Sequence, residues 1–343
     1  MDTVRTKKNE KKDSPPPNEE QLDAINFGEG YACVEAGPGS GKSFVLVQRF
    51  ARLIRDGVSP DDTLSLSFTR TAAKNLRDRV EAQVGKLTTT RTAGAQTFHA
   101  LGLAFAMEER DAFPYELAEF PLAGEPVSAK LSGDAARRYE LDPRAFRPLV
   151  SLWKRKRLRA PSLIRDFEDK VDAKSLRMAL AYKDYDKRMK AAGVLDFDSL
   201  ILEMVEILDK NPEVRKRWVR DWLQLDEAQD MSRIEWDLAK LISGKSVCAV
   251  GDVSQGIYGF RGSDSRLFLE MESMFPGTET LFLSANFRSS PEIVNFIRPI
   301  AATQDLASKF HTQNPSGPEV SIRGFNSTGD EAAWVISEIK GEV

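Results

Sequence analysis

The sequence predicts an α/β fold in which a parallel sheet carries helices on both faces and is interrupted by a helical insertion. Three observations lead there. Short apolar runs of strand length alternate with amphipathic stretches of helical period, first over residues 18–107 and again over 194–276. A glycine-rich turn joins the first apolar run to the first long amphipathic stretch. Between the two blocks, residues ~105–193 lose the alternation and keep only the helical rhythm.

In chain order, residues 1–17 read as a disordered tail, with Lys7, Lys8, Lys11 and Lys12 ahead of Pro15, Pro16 and Pro17 and almost nothing apolar to bury. Asn18 opens a helix whose apolar positions are Leu22, Ala24 and Ile25. Tyr31–Glu35 is a strand, Lys42–Asp56 a helix, Thr63–Phe68 a strand and Ala72–Val84 a helix with its charges on the outer face. The second block supplies strands at Trp222–Leu225, interrupted by Gln224, at Ser246–Val250 and at Thr280–Leu283. The insertion carries a basic run, Lys154 to Arg157 with Arg159. Its residues 151–190 hold thirteen basic and six acidic side chains. The run reads equally as a solvated helix face or as a nucleic-acid phosphate contact.

Composition narrows the function classes. With 343 residues, 41% hydrophobic and 29% charged, the chain can bury a core in two or three domains. A net charge of -3 excludes a protein that coats nucleic acid by bulk charge, so such binding needs a local patch. Two cysteines and two histidines argue against a disulfide framework and a structural zinc site. Cys33 and Cys248, in apolar strands, read as packing residues. Neither a membrane-spanning apolar run nor a signal-peptide core is visible, which points to a soluble protein of a reducing compartment.

The glycine-rich turn is a phosphate loop: Ala36-Gly37-Pro38-Gly39-Ser40-Gly41-Lys42-Ser43, after a strand and before a helix. Its glycines let successive N–H groups converge on phosphate oxygens, and the helix N-terminus adds positive potential. Lys42 is expected to reach the β- and γ-phosphates of ATP, and the Ser43 hydroxyl to ligate Mg2+. Asp226 and Glu227 end an apolar run, at the strand edge where ligands bind in open α/β sheets. Alone, such a pair is more often a helix cap. Beside a phosphate loop, Asp226 becomes a magnesium ligand and Glu227 the group that polarises attacking water.

Taken together, Asp226-Glu227-Ala228-Gln229-Asp230 and six further segments resemble, in order, the motifs of the UvrD/Rep/PcrA-like superfamily 1A DNA helicases. The six are Gln21, Ser67–Ala73, Gln96–His99, Leu195–Asp198, Gly251–Gly262, and Asn286–Ser289. The resemblance covers about residues 18–343. It implies a RecA-like ATP-binding domain (18–107 and 194–276), a helical insertion (108–193) and a partial second RecA-like domain (277–343). It also implies a DNA-stimulated ATPase that translocates 3′ to 5′ on single-stranded DNA and meets single/double-strand junctions. The cytoplasm, at a bacterial nucleoid or in a phage-infected cell, is the expected location.

By the same resemblance, Gln21 would read the adenine edge and Phe287, where relatives carry Tyr, would stack on the base. Gln255 would link the γ-phosphate to the DNA side, and Arg288 would be an arginine finger. Phe68, Thr69, His99, Phe197, Tyr258, Phe260 and Arg261 match DNA-contact positions. Core packing remains an equal reading for His99 and stays open for Phe68 and Phe197. The part from 277 onward reads as strand 280–283, helix 291–298, strand 319–325 and helix 330–341. Because residues 277–343 are fewer than such a domain usually needs, the second domain is expected to be incomplete. The chain by itself is then expected to bind Mg·ATP, hydrolyse it weakly and unwind no duplex. The missing part could be supplied by a second chain. An ATP-gated single-stranded DNA-binding subunit is the alternative.

Overall fold

The computed structural model describes residues 16–87, 94–170, 172–300 and 303–341. The basic tail read from the sequence lies outside the described residues up to position 15.

The first block runs α1 (Glu19–Asn26), β1 (Gly30–Ala36), α2 (Lys42–Arg55), β2 (Thr63–Ser67), α3 (Arg70–Val84), β3 (Gly94–Thr97) and α4 (Phe98–Glu108). Four helices follow: α5 (Glu125–Arg138), α6 (Pro143–Arg155), α7 (Ala160–Asp169) and α8 (Ala173–Ala191). The second block comprises α9 (Phe197–Lys210), α10 (Pro212–Trp218), β4 (Arg220–Leu225), α11 (Arg233–Ile242), β5 (Ser243–Gly251), α12 (Ser265–Leu269), α13 (Met271–Met274) and β6 (Thr278–Leu283). The chain ends with β7 (Ala285–Asn286), α14 (Pro291–Ile297), α15 (Gln304–Lys309), β8 (His311–Thr312) and α16 (Thr328–Gly341).

Six parallel strands form one sheet in the order β3-β2-β4-β5-β1-β6. Alternate residues of each strand face opposite cores, as the two-residue period of a strand requires. Ala32, Val34, Cys248 and Val250 meet α1, α2 and α3 through Ile25, Leu46, Phe50 and Leu76. Cys33, Val247, Ala249, Leu223 and Leu225 meet α4, α9 and α11 through Phe105, Leu202, Met204 and Trp236. Helices α5 to α8 have a core of their own around Phe146, Trp153, Tyr182 and Tyr185. The chain leaves for this insertion and returns from it side by side. Ala118 N–H donates to Gly193 O at 2.8 Å, and Leu195 N–H to Pro121 O at 2.7 Å.

Several sequence expectations need correction. The strand at Thr278–Leu283, read as the opening of a second domain at 277, is instead the edge strand of the main sheet, paired with β1 from Tyr31↔Thr278 to Ala36↔Leu283. Leu281 and Leu283 continue the apolar face of β1, and the pairing covers its open edge. β3, with the sequence Gly-Ala-Gln-Thr, shows too little apolar alternation to be read as a strand, and only its pairing with β2 makes it one. Residues 319–325, expected as a strand, are exposed and have no ladder partner among the described residues. Leu22 faces solvent, and Gln21 takes the buried place beside Ala24 and Ile25. Among the described residues, no helix is long and apolar enough to cross a membrane.

Candidate functional site

The strand ends converge on the loop Ala36–Ser43, which leaves β1 between β5 and the edge strand β6. Gly39 (φ 71°) and Gly41 (φ 89°) take left-handed conformations that a side chain would strain. No side chain caps α2, so its first N–H groups remain available to an anion. The Ser40 hydroxyl is buried without a partner. Ala36 is fully buried, and Gly37 N–H is spent on Leu283 O at 3.0 Å. Gln21, capping α1 together with Asn18, donates from Nε2 to Ser40 O at 2.9 Å. It therefore braces the loop in this structure. Ser43 stands exposed in the first turn of α2.

Opposite the loop, β4 delivers Asp226. Its N–H donates to Leu66 O at 2.9 Å, and its Oδ2 accepts from Ser67 Oγ at 3.3 Å. Its Oδ1 is buried with no partner. Glu227 is held left-handed at φ 52°, a conformation that costs a non-glycine residue roughly 1–3 kcal/mol. That turn brings its Oε2 to 3.8 Å from Lys42 Nζ. Asp252, at the end of β5, approaches the same Nζ to 3.9 Å and also accepts from Gln255 Nε2. Gln229 ties the two acidic loops together, donating to Glu227 Oε2 at 3.0 Å and accepting from Asp252 N–H at 2.9 Å.

Burial first, and then the neighbouring Glu227, push the Asp226 carboxyl up to about 6. The same two causes raise Asp230 to about 6. Two carboxylates lie within 4 Å of the Lys42 ammonium and two more, Asp226 and Asp230, feel its charge. An unpartnered carboxylate oxygen near a cradle of backbone N–H groups suits a hydrated magnesium ion held with Ser43. Sequence reasoning singled out Asp226, Glu227 and Gln255 here but missed Ser67, Gln229 and Asp252. Ser67 and Asp252 sit at C-terminal ends of strands, the same positional signal that marks Asp226.

The segment Asn286-Phe287-Arg288 lies directly on the phosphate loop: Phe287 N–H donates to Gly39 O at 2.9 Å and Asn286 Nδ2 to Pro38 O at 2.7 Å. The Phe287 ring is half exposed, and Arg288 is exposed beside it.

A second cluster joins the aromatic residues named from the sequence. The Phe68 and Tyr258 rings lie 5.3 Å apart, Tyr258 and Phe260 6.2 Å apart, and the Arg261 guanidinium sits 5.2 Å from the Tyr258 centroid. Phe260 is 77% exposed, so it is not a core residue. His99 meets the Phe197 ring edge-on at 5.5 Å, and burial lowers its pKa toward the neutral imidazole. Phe68, His99 and Phe197 line a cavity of about 610 Å³ together with Arg70, Lys74 and Gln96. Phe68, Thr69, His99 and Arg261 line an adjoining one of about 310 Å³. Thr69 also caps α3, accepting from Ala72 N–H at 3.1 Å. Gln96, which belongs to a sequence motif but carries no assigned role there, is 7% exposed and leaves its amide nitrogen unpaired.

The basic run is not a freely solvated face: apart from the exposed Lys156, its cations are buried or ion-paired. Lys154 is buried, 2.8 Å from Asp196 Oδ2 and 3.4 Å from Asp186 Oδ1, and donates to Ser199 Oγ at 2.8 Å. Arg155 pairs with Asp198, Arg157 with Asp209 and Asp237, and Arg159 with Glu203. The positive charge of this run, from the end of α6 to the start of α7, is thus spent on α9 and its neighbours, fastening the insertion to the sheet domain. Burial opposes ionisation of Asp196, yet Lys154 and a hydrogen bond from Tyr185 hold its carboxyl down at about 2.

Compared with known proteins, residues 17–276 match the UvrD/REP helicase N-terminal domain family. Over 333 residues the chain is 29% identical to the ATP-dependent DNA helicase PcrA of Staphylococcus epidermidis and 28% identical to that of Staphylococcus aureus. Each match covers 94% of this chain and 45% of the relative, so the chain spans less than half the length of these curated proteins.

Proposed function

The chain belongs to the UvrD/REP helicase family, and from that membership we propose that it is the ATP-hydrolysing part of a DNA helicase or translocase, moving 3′ to 5′ on single-stranded DNA. The observation that carries this is Lys42, poised over the phosphate loop 3.8 Å from Glu227 and 3.9 Å from Asp252. When nucleotide enters, Lys42 exchanges those carboxylates for the β- and γ-phosphate oxygens. Glu227, released from Lys42 but still bonded to Gln229, accepts the proton of the attacking water. The water oxygen bonds to the γ-phosphorus, the bond to the β-phosphate oxygen breaks, and ADP leaves with that oxygen's electron pair. A magnesium ion held through Ser43 and Asp226 would neutralise phosphate charge. Gln255, tethered to Asp252 and three residues from Tyr258, is placed to report the γ-phosphate to the DNA cluster. Arg288 offers its guanidinium to the transferring phosphoryl group. Phe68, Tyr258, Phe260 and Arg261 offer successive faces for unstacked bases at the strand or junction.

A second reading, an ATP-gated single-stranded DNA-binding subunit with little unwinding of its own that another chain completes, is favoured by one observation. Among the described residues 313–341 no strand joins either sheet, and α16 buries no side chain. Steady-state ATPase with and without single-stranded DNA, beside Glu227→Gln, tests both. The motor reading expects DNA-stimulated turnover that the substitution abolishes while nucleotide binding persists. Binding without turnover supports the subunit reading, and turnover indifferent to Glu227 overturns the assignment of the site.

A further inference from the structure

Resting on the reading of Arg288 as the arginine that meets the transferring phosphoryl group, we propose that Asn286 is the positioning residue that sets where Arg288 stands over the phosphate loop. Asn286 is buried at the end of β7, opposite Thr312 of β8. Both ends of its amide are used. Nδ2 donates to Pro38 O at 2.7 Å, while Oδ1 accepts from Arg288 N–H at 2.8 Å and from Ser289 N–H at 2.7 Å. The double acceptance folds the chain back on itself immediately after Asn286, as an Asx turn does, leaving Phe287 and Arg288 at the exposed tip.

The donor end then fastens that turn to the loop that binds phosphate. Phe287 N–H to Gly39 O, at 2.9 Å, is a second tie. The contact is tight: a Cβ on Gly39 would stand 2.9 Å from Arg288 Cβ and 3.0 Å from Asn286 Nδ2. The Arg288 backbone is therefore registered against the phosphate loop through one side chain, and its long flexible guanidinium arm starts from a defined point. Only an amide of this length supplies a donor toward Pro38 and an acceptor for two N–H groups. Asp lacks the donor and sets its charge against a carbonyl, and Ser is too short to span both. Misplacement of a reacting group by about 1 Å can cost about a hundredfold in rate, so such a tie matters to turnover more than to nucleotide affinity.

The test is a double-mutant cycle on the full chain. Single-turnover ATP hydrolysis with saturating single-stranded DNA is measured for the parent, Asn286→Ala, Arg288→Ala and the double variant, with ATP affinity from fluorescence titration. Asn286→Ala is expected to slow hydrolysis about tenfold or more, with ATP affinity changed by less than about threefold. In the Arg288→Ala background the same substitution should change the rate by less than about twofold, which a purely structural role would not produce. If Asn286→Ala does not fold, Asn286→Ser, which keeps a short acceptor, carries the same cycle. Fully additive losses, or a parental rate in Asn286→Ala, overturn the proposal and leave the reading of Arg288 standing. A parental rate in Arg288→Ala overturns that reading and the positioning role with it.

Discussion

Replacing Asp226 with Asn should stabilise the ligand-free chain while abolishing its magnesium-dependent hydrolysis. Burial and then Glu227 raise the Asp226 carboxyl from 3.8 to about 6, against the weaker opposing pull of Ser67 and Lys42. A carboxyl group whose pKa is higher folded than unfolded binds its proton more tightly in the native state. Ionising it therefore costs stability. The cost is absent below pH ~4, grows between the two pKa values and is complete above ~6. The interval from 3.8 to about 6, at about 1.4 kcal/mol per pH unit, makes it about 3 kcal/mol at pH 7.5, of which roughly half is gone by pH 5. Asn carries no charge at either pH and keeps an oxygen for the Ser67 hydroxyl. Urea unfolding of parent and variant at pH 7.5 and pH 5 reads the difference directly, beside an ATPase assay with and without magnesium. A variant less stable than the parent at pH 7.5, or a gap that does not narrow at pH 5, would refute the view that this site stores charge at a cost. A variant that still hydrolyses ATP with magnesium would refute the role given to the carboxylate.

Other consequences are accessible to the same methods. Lys154→Met should lower stability by roughly 3–5 kcal/mol in thermal unfolding, because it strands Asp196 and Asp186 in a buried place, whereas Lys156→Met at the exposed neighbour should be nearly neutral. Because Lys154 holds Asp196 ionised down to about 2, the parent loses this pair's contribution as pH falls from about 4 toward 2, and the gap to the variant closes in acid. Tyr258→Ala should weaken single-stranded DNA binding by roughly 1–3 kcal/mol in fluorescence anisotropy, through loss of the ring between Phe68 and Phe260. Gln96→Leu should raise the thermal stability of the free chain by about 1–3 kcal/mol, since it removes a buried unpaired amide nitrogen.

Much of the site is legible in the amino-acid sequence, for local reasons. The phosphate loop is contiguous, and its glycines and lysine act within eight residues. Asp226 and Glu227 follow a strand whose apolar run is visible despite Gln224, which hydrogen-bonds Ser65 Oγ at 2.7 Å and so fits the core. The aromatic cluster is named by resemblance, and residues as far apart as Phe68 and Tyr258 do meet. Asp252 gets no role from the sequence because its place at a strand end, though visible, does not say that it faces Lys42. The basic run stays ambiguous in the sequence for the complementary reason: a stretch dense in cations looks the same whether its partners are solvent, phosphates or carboxylates.

Chemistry and fold class are thus written in the linear order of residues, because periodicity reports which face of an element is buried and motif spacing reports which groups act together on one loop. What faces what emerges only when the chain is folded. Lys154 finds Asp196 across 42 residues, and Asn286 finds Pro38 across 248. The strand at Thr278–Leu283 joins the main sheet at the open edge of β1, where Leu281 and Leu283 continue its apolar face. One cause is common to all three. Burying a charge or a polar amide, or closing a sheet edge, rewards a partner of the right kind, and the path of the rest of the chain selects which such partner comes within reach.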